Sequence, residues 1–244
     1  MTVPIPLGRL ARAMDLNERE HIAVVGGGGK TTTVLALGQQ LPGRRILTTT
    51  TKMGVRQHGG FAVLTKPERQ DLVNGLTDGA VMVRQAERGS KAIGVDPAVC
   101  DHWFADRSLC EHIIIEADGA RTRPFKAPAP YEPVIPATTT IVVSVIGADA
   151  LGRVIADQCH RPLRVAALAG CSPYERLTPE RAARVICDVD GGGRNVPAAA
   201  RRMVLVTKVP DYRADPVTAE LVDGLLEELA GRIETLAVEL EGDR

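Results

Sequence analysis

The stretch Val24-Val25-Gly26-Gly27-Gly28-Gly29-Lys30-Thr31-Thr32-Thr33 decides the fold, because it places four glycines, a lysine and a run of hydroxyls between two apolar patterns. The residues Ile22–Val25 before the glycines are typical of a buried parallel strand, and the apolar spacing from Val34 to Leu41 after them is helical. Glycines at such a junction leave free backbone N–H groups at the positive end of a helix dipole. The pattern therefore predicts a phosphate cradle at the start of a helix.

This stretch predicts a nucleotide site, with ATP as the expected nucleotide and GTP not excluded. Lys30 is expected to neutralise the β- and γ-phosphates as a catalytic residue, and the Thr31 hydroxyl to ligate Mg²⁺. The pattern G-x-x-x-x-G-K-[ST] is incomplete, because Val24 stands where its first glycine belongs. A glycine turn that only closes a strand onto a helix is the structural alternative. The residues predicted to contact the nucleotide are Gly26, Gly27, Gly28, Gly29, Lys30, Thr31 and Thr32.

Composition and charge limit the class of protein. The chain has 244 residues with 30 basic and 30 acidic side chains, so neither nucleic acid nor an anionic membrane is an expected partner. The cysteines form no C-x-x-C pair, which is typical of a protein from a reducing compartment. No apolar segment approaches the ~18 residues of a membrane helix, and no signal-peptide pattern is found. We therefore expect a cytoplasmic protein with a single domain over residues 1–244.

Strand-like apolar runs alternate with helical patterns along the chain. This alternation predicts an α/β fold, a mostly parallel sheet flanked by helices in a P-loop NTPase-like arrangement. A β-hairpin insertion is expected near 79–95 and a helical segment near 151–190. The glycine run Gly191–Gly193 is expected to be a flexible exposed loop. The predicted strands are Ile22–Val25, Arg45–Thr48, Phe61–Leu64, His112–Ile115, Thr140–Ile146, Met203–Thr207 and Glu234–Val238.

The apolar strand that contains Ile113–Ile115 delivers two carboxylates at its end, in the order Glu116-Ala117-Asp118-Gly119. Ligands of parallel α/β sheets bind at that edge. Asp118 is expected to hold the magnesium ion and Glu116 to orient the attacking water or nucleophile, because phosphoryl transfer depends on positioning and charge compensation. The reverse assignment of the two carboxylates is equally open. A strand that ends in a solvated acidic turn is the structural alternative.

Two further segments supply candidate residues for a substrate or a partner. Thr51 and Lys52 follow the second strand, whose end is expected near the phosphate cradle by the right-handed crossover rule. Lys126 and Glu132 lie in the proline-rich segment 121–136, which follows the carboxylates and cannot form a helix or a central strand. For both segments a purely structural role is open.

Two later positions complete the candidates. His160 is retained as a substrate or partner residue, although a lone histidine is more often structural. Thr207-Lys208 ends a late strand and is similar to the guanine-reading N-K-x-D loop, but threonine replaces the asparagine. This loop therefore predicts no preference for GTP.

Taken in order, several motifs resemble those of the YqeC family. They are the glycine loop with its K-T-T, then T-T-T-T-K-M, I-E-A-D-G-A-R, K-A-P-A-P-Y-E-P-V-I-P, G-A-D-A-L-G and H-R-P, and they run from Gly26 to Asp211. The resemblance implies a P-loop nucleotide-binding protein that acts as an accessory or maturation factor for a selenium-dependent molybdenum hydroxylase. The implied partners are that hydroxylase or the proteins that handle its cofactor. The resemblance implies no particular reaction.

Three functions therefore stay open. The first is a slow Mg²⁺-dependent NTPase whose hydrolysis gates assembly of a partner enzyme or delivery of its cofactor. The second is an ATP-dependent small-molecule ligase or phosphotransferase, because residues 26–33 are similar to the short G-T-x-G-K-T-T-T loop of Mur-type amide ligases. The third is a non-catalytic nucleotide-binding adaptor. Turnover with nucleotide alone, turnover only with an added acceptor, and binding without turnover would distinguish them.

Overall fold

A computed structural model describes residues 3–211 and 213–239. Within this part of the chain the strands are β1 (Ile5–Pro6), β2 (Glu20–Gly26), β3 (Arg45–Thr49), β4 (Lys52–Gly54), β5 (Ala62–Thr65), β6 (Ala80–Arg84), β7 (Ala86–Arg88), β8 (Lys91–Ile93), β9 (His112–Glu116), β10 (Phe125–Lys126), β11 (Ile141–Gly147), β12 (Cys159–His160), β13 (Arg201–Thr207) and β14 (Glu234–Glu239). The α-helices are α1 (Leu10–Ala13), α2 (Lys30–Gln40), α3 (Arg69–Gly75), α4 (Pro97–Ala105), α5 (Ile155–Gln158), α6 (Pro162–Ala169), α7 (Pro179–Cys187) and α8 (Pro216–Leu229).

Nine strands form one sheet in the order β1-β14-β13-β11-β2-β9-β3-β6-β5, and every neighbouring pair is parallel. The chain runs from β2 to β3, returns to insert β9 between them, and then places β11 on the other side of β2. The carboxyl ends of all these strands meet at one edge, and the crevice where the chain changes direction is the usual ligand site of such sheets. The predicted α/β fold is confirmed, and so are the seven predicted strands.

Alternate side chains of the central strands enter different cores. On β9, Ile114 packs on one face of the sheet with Val34 and Leu37 of α2, together with residues of α1. Ile113 and Ile115 pack on the other face with residues of α3 and α4. A third cluster joins α5, α6, α7 and α8 to β11, β13 and β14. Because both faces are covered, the central strands carry nearly continuous apolar sequences.

A separate antiparallel sheet, β4-β8-β7, is attached to the end of β3. The amides of Gly94 and Val95, just after β8, donate to the carbonyls of Thr51 at 2.7 Å and Thr49 at 2.8 Å. Only β7 and β8 form a hairpin in the segment 79–95. The adjacent strand β6 belongs instead to the central sheet, between β3 and β5, because its alternate valines and methionine are buried on both faces.

The glycine run after α7 packs tightly against that helix. Gly191 is buried, and a Cβ on it would lie 2.0 Å from the carbonyl oxygen of Val185. The amide of Gly192 donates to the same carbonyl at 3.0 Å, and the Gly193 amide donates to the Asp188 carbonyl at 2.9 Å. These bonds satisfy the carbonyl of Val185 in the last turn of α7 and that of Asp188, which directly follows the helix. The prediction that Gly191–Gly193 is exposed is therefore wrong, because Gly191 is buried and the other two glycines are half-buried.

The helical segment near 151–190 contains α5, α6 and α7, which follow one another with short connections. Across residues 3–211 and 213–239, no helix has both the length and the apolar character needed to cross a lipid bilayer.

Candidate functional site

The segment Gly26–Gly29 connects β2 to α2 at the crevice of the central sheet, and we call it the phosphate loop after the function predicted for it. The amide of Gly27 donates to the Val145 carbonyl of β11 at 2.8 Å, which holds the loop against the neighbouring strand. Gly28 has φ +81°, and a Cβ on it would lie 2.4 Å from the amide nitrogen of Gly147, so only glycine fits there. Gly29 caps α2 without a side-chain hydrogen bond. The first amides of α2 are therefore left for an anion.

Thr207, at the end of β13, stabilises the phosphate loop through a hydrogen bond. Its buried hydroxyl donates to the carbonyl oxygen of Gly28 and lies 3.2 Å from the carbonyl oxygen of Ile146. Thr207 stands at the position of the asparagine in the base-reading N-K-x-D pattern, but its hydroxyl contacts the phosphate loop instead. Two strands that are far apart in the sequence have to be adjacent for this bond, so no local pattern could have indicated it.

The two carboxylates after β9 have different surroundings. Glu116 accepts a hydrogen bond from the Thr31 hydroxyl at 2.7 Å, and its carboxylate lies 3.9 Å from the Lys30 ammonium. Asp118 accepts from the Gly26 amide at 3.1 Å and lies 3.3 Å from the Lys30 ammonium. Burial raises the pKa of Glu116 above its ordinary value, and the charge of Asp118 adds to that rise. Lys30 and Thr31 act in the opposite direction, but the pKa of Glu116 remains raised overall.

Five alternating charges form a chain that starts at the phosphate loop and ends at α6. We call Lys30, Asp118, Lys126, Glu132 and Arg161 the charge chain. The Lys126 ammonium lies 2.8 Å from Asp118 and 2.9 Å from Glu132, and Arg161 binds Glu132 through two hydrogen bonds of 2.8 and 3.0 Å. Burial alone would raise the pKa of Glu132, but the hydrogen bonds from Arg161 and Lys126 lower it below its ordinary value.

The predicted substrate or partner residues Lys126, Glu132 and His160 lie together, behind the phosphate loop. The Lys126 side chain is only 2% exposed, and its ammonium pairs with Asp118 and Glu132 within the charge chain. His160 faces Lys126 in the register of β12 with β10. Burial lowers the pKa of His160 to about 4, and the nearby charges of Arg161 and Lys126 contribute to the decrease. Arg161 was not among the predicted site residues, although it directly follows His160 in the H-R-P motif.

A cleft of about 310 Å³ opens in front of the phosphate loop. The predicted residues that line this cleft include Lys30, Thr31, Thr32, Lys52 and Glu116. Thr51 does not line it. The Thr51 carbonyl accepts a hydrogen bond from the Gly94 amide, which connects the small sheet to the end of β3. The lining residues that sequence analysis did not select are Met53, Gly54, Gln57, Lys91, Gly119, Ala120, Arg121, Thr122, Arg123 and Lys208.

The cleft contains a donor set that suits magnesium. The Thr31 hydroxyl and the Glu116 carboxylate meet at its wall, 2.7 Å apart. Mg²⁺ usually takes one or two protein oxygens and completes its shell with water and substrate phosphates, so this pair fits it. Asp118 is 2% exposed and is occupied by two lysines. In the described residues, no three His, Cys, Asp or Glu side chains are grouped so that they could hold a metal ion.

The parallel sheet defines an α/β protein. The glycine loop at its crevice, followed by a helix that begins with lysine and threonine, is consistent with a P-loop NTPase-like arrangement. The model of the family described as YqeC protein matches residues 22–163. A relative from Escherichia coli (strain K12), named "Uncharacterized protein YqeC", is 30% identical over 225 residues, which cover 88% of this chain and 87% of the relative. The chain therefore belongs to the YqeC family. No solved structure matches it significantly.

Proposed function

We propose that this chain is a Mg²⁺-dependent nucleotide-binding protein that hydrolyses NTP and acts as an accessory or maturation factor for a selenium-dependent molybdenum hydroxylase. The phosphate loop is the observation that carries the nucleotide part of this proposal. Gly28 leaves no space for a side chain, and α2 begins beside it with Lys30 and Thr31 at the wall of the cleft. An anion there would meet free amides and the positive end of a helix.

Lys30 would change partners when the nucleotide binds. Its ammonium now donates to the Gly26 carbonyl at 2.8 Å and lies near Asp118. A triphosphate at the start of α2 would offer several charged oxygens to the same ammonium, and charge-assisted hydrogen bonds to phosphate are among the stronger ones. Asp118 would keep Lys126 as its counter-ion.

The geometry favours Glu116 over Asp118 for the position next to magnesium, which is the reverse assignment that the sequence left open. Glu116 already shares a hydrogen bond with Thr31, the expected metal ligand. Bound magnesium would compensate charge on the β- and γ-phosphate oxygens. Asp118 would instead hold the Gly26 amide and position Lys30. ATP is the nucleotide we expect, with GTP as the alternative.

The hydroxylase role rests on family membership together with the K-A-P-A-P-Y-E-P-V-I-P motif, whose first lysine and first glutamate are Lys126 and Glu132. These residues link the phosphate loop to α6 through the charge chain. A change at the loop on nucleotide binding would therefore reach the proline-rich segment and α6. Such a link is what a nucleotide-gated accessory protein needs, since the state of one site must be sensed at another surface.

Calorimetric titration of the whole protein with ATP and with GTP, each in excess Mg²⁺, tests nucleotide binding. We expect Lys30→Ala to weaken binding about tenfold to a hundredfold, because it removes a charge-assisted contact of about 1.5–3 kcal/mol. Lys66→Ala removes an exposed lysine outside the cleft and should bind like the wild type. Circular dichroism checks that the variants fold. A wild-type protein that binds neither nucleotide would refute the proposal without reference to any variant.

Complementation tests the accessory role. In a cell whose molybdenum hydroxylase activity depends on this protein, the wild-type gene and the Lys66→Ala gene should restore the activity, whereas Lys30→Ala should not. Phosphate release by the purified protein with nucleotide alone would then favour the NTPase over the ligase or the adaptor. Full hydroxylase activity with Lys30→Ala would separate the accessory role from nucleotide binding and would contradict the proposal.

A further inference from the structure

The cleft in front of the phosphate loop carries more positive charge than one nucleotide needs. Its charged lining consists of one carboxylate, Glu116, and six cations, Lys30, Lys52, Lys91, Arg121, Arg123 and Lys208. The chain as a whole is balanced, with 30 basic and 30 acidic side chains, so the excess is local. A triphosphate with bound magnesium keeps only a small net negative charge, and Lys30 with the first amides of α2 would meet most of it.

The small sheet presents two of these cations from one face. In the antiparallel pairing of β4 with β8, Lys52 lies opposite Ile93 and Lys91 lies opposite Gly54. Lys52 and Lys91 are therefore two positions apart across the pair and share a face, because side chains alternate along a strand. The pair between them, Met53 and Ala92, points the other way and is buried in the core. The sheet thus buries an apolar face and turns its lysines to the cleft.

Within the described part of the chain, four of the six cations pair with no carboxylate: Lys52, Lys91, Arg121 and Arg123. Arg123 instead donates to the Asp157 carbonyl. Lys208 differs, because its ammonium lies 2.7 Å from the Asp149 carboxylate. Like charges that share a cleft repel one another, and an anion between them would remove that repulsion.

The backbone that carries Arg121 is held in an uncommon conformation. Arg121 and Thr122 have φ of +49° and +62°, a left-handed region that residues with a side chain seldom adopt. The Lys126 ammonium, a member of the buried charge chain, donates to the carbonyl of Gly119 at 2.8 Å and anchors the start of this turn. Strain of this kind persists where the surroundings impose it, and it is concentrated at binding sites.

We propose that the cleft binds a second, small anionic ligand beside the nucleotide, held by Lys52, Lys91 and Arg121. The ligand class is a small molecule with phosphate or carboxylate groups. This inference rests on the proposed function, because it places the nucleotide phosphates at residues 28–32 and the second anion on the opposite wall. That wall is formed by β4, β8 and the turn at residues 121–123. The ligand would be the acceptor or effector of the nucleotide reaction.

The test uses the whole protein saturated with Mg²⁺ and a non-hydrolysable ATP analogue, in excess magnesium. Pyrophosphate and citrate are then titrated in separate calorimetric experiments, as probes with phosphate and carboxylate groups. We expect one further equivalent of at least one probe to bind to the wild type. The double variant Lys52→Ala/Lys91→Ala should bind that probe at least tenfold more weakly. Lys66→Ala, which removes one lysine outside the cleft, is the control and should bind like the wild type.

The outcomes separate this inference from the proposed function. Binding of the analogue without any further binding of pyrophosphate or citrate overturns the inference alone. Equal binding of a probe by the wild type and the double variant also overturns it, because the anion then lies elsewhere. Failure of the wild type to bind the analogue overturns the proposed function and the inference with it. Circular dichroism and the affinity for the analogue confirm that the double variant is folded.

Discussion

The charge chain behind the phosphate loop and the cationic wall in front of it use similar residues in opposite ways. In the charge chain, Asp118 and Lys126 have side chains that are each 2% exposed, and their charges lie 2.8 Å apart. On the wall, Lys52 and Lys91 are exposed, and no described carboxylate pairs with either of them. The charges of the first group are paired and are buried or half-buried, whereas those of the second are exposed and have no described carboxylate partner.

Burial and pairing distinguish the charges that hold the site together from those that are available to bind a ligand. Buried charges are costly to remove from water, and they are tolerated when each has a partner at close range. The charge chain satisfies this condition, and it holds the phosphate loop, the proline-rich segment and α6 in one arrangement. Exposed cations keep their water and can exchange it for an anionic ligand at little cost.

Asp118→Asn should destabilise the protein by about 3 kcal/mol, because it removes the buried counter-ion that Lys30 and Lys126 share. The loss stays at the lower end of the range for a broken buried pair, since Glu132 still lies 2.9 Å from Lys126 and Glu116 lies 3.9 Å from Lys30. Asp149→Asn is the matched control. It breaks an exposed pair with Lys208 of similar length, 2.7 Å, and should change the free energy of unfolding by about 0–1 kcal/mol. Urea unfolding followed by circular dichroism measures both. Equal losses in the two variants would show that burial does not distinguish these pairs.

Glu116→Gln should have the opposite profile, with little loss of stability and a large loss of activity. Because the pKa of Glu116 is raised in the folded state, its ionised form is disfavoured there at neutral pH, and a neutral amide removes that cost. The amide is a poor magnesium ligand, so nucleotide turnover at limiting Mg²⁺ should fall at least about tenfold. Phosphate release measured against magnesium concentration checks this. Wild-type magnesium dependence in Glu116→Gln would return the metal role to Asp118.

The sequence was sufficient for features that depend on local pattern. The position of the phosphate loop can be predicted from its glycines, and the central strands can be predicted from their apolar runs. A strand that is buried on both faces needs a nearly continuous apolar sequence. Even so, β6 was assigned to the hairpin region, since a short apolar run does not reveal its partner strand. The two glycine runs show the same limit. Gly26–Gly29 precedes a helix, as its flanking patterns predict, whereas Gly191–Gly193 follows one and packs against it instead of forming the exposed loop that its glycines predict.

The site was harder to predict where it depends on long-range contacts. The carboxylates of β9 were selected from one segment, but the order of their roles depends on Thr31 and Lys126, which come from two other segments. Lys91 was missed, because nothing in its own hairpin indicates that β8 pairs with β4 beside the cleft. Sequence patterns therefore gave the chemical groups of the site, and the tertiary fold decides which of them meet.

The smallest predicted effect concerns His160, at the edge of the charge chain. Its pKa is lowered from 6.5 to about 4, mainly by burial and further by the charges of Arg161 and Lys126. Between these two pH values the unfolded chain binds a proton at this ring and the folded protein does not. Stability should therefore fall as the pH decreases from about 6.5 to about 4, and the loss from His160 ends below that window. Solvent screening at this partly exposed ring limits the loss to about 1 kcal/mol.

His160→Gln removes this titration and should flatten the profile by that amount. His21 and His112 stay in both proteins as internal references, because burial lowers the pKa of His21 to about 4 and lowers that of His112 as well, and both contribute to the remaining slope. Urea unfolding at a series of pH values between 4 and 7 measures the difference. If wild type and His160→Gln lose stability in parallel over this range, the pKa of His160 is not lowered in the folded protein. Neither burial nor the cations of the charge chain would then affect the protonation of this ring.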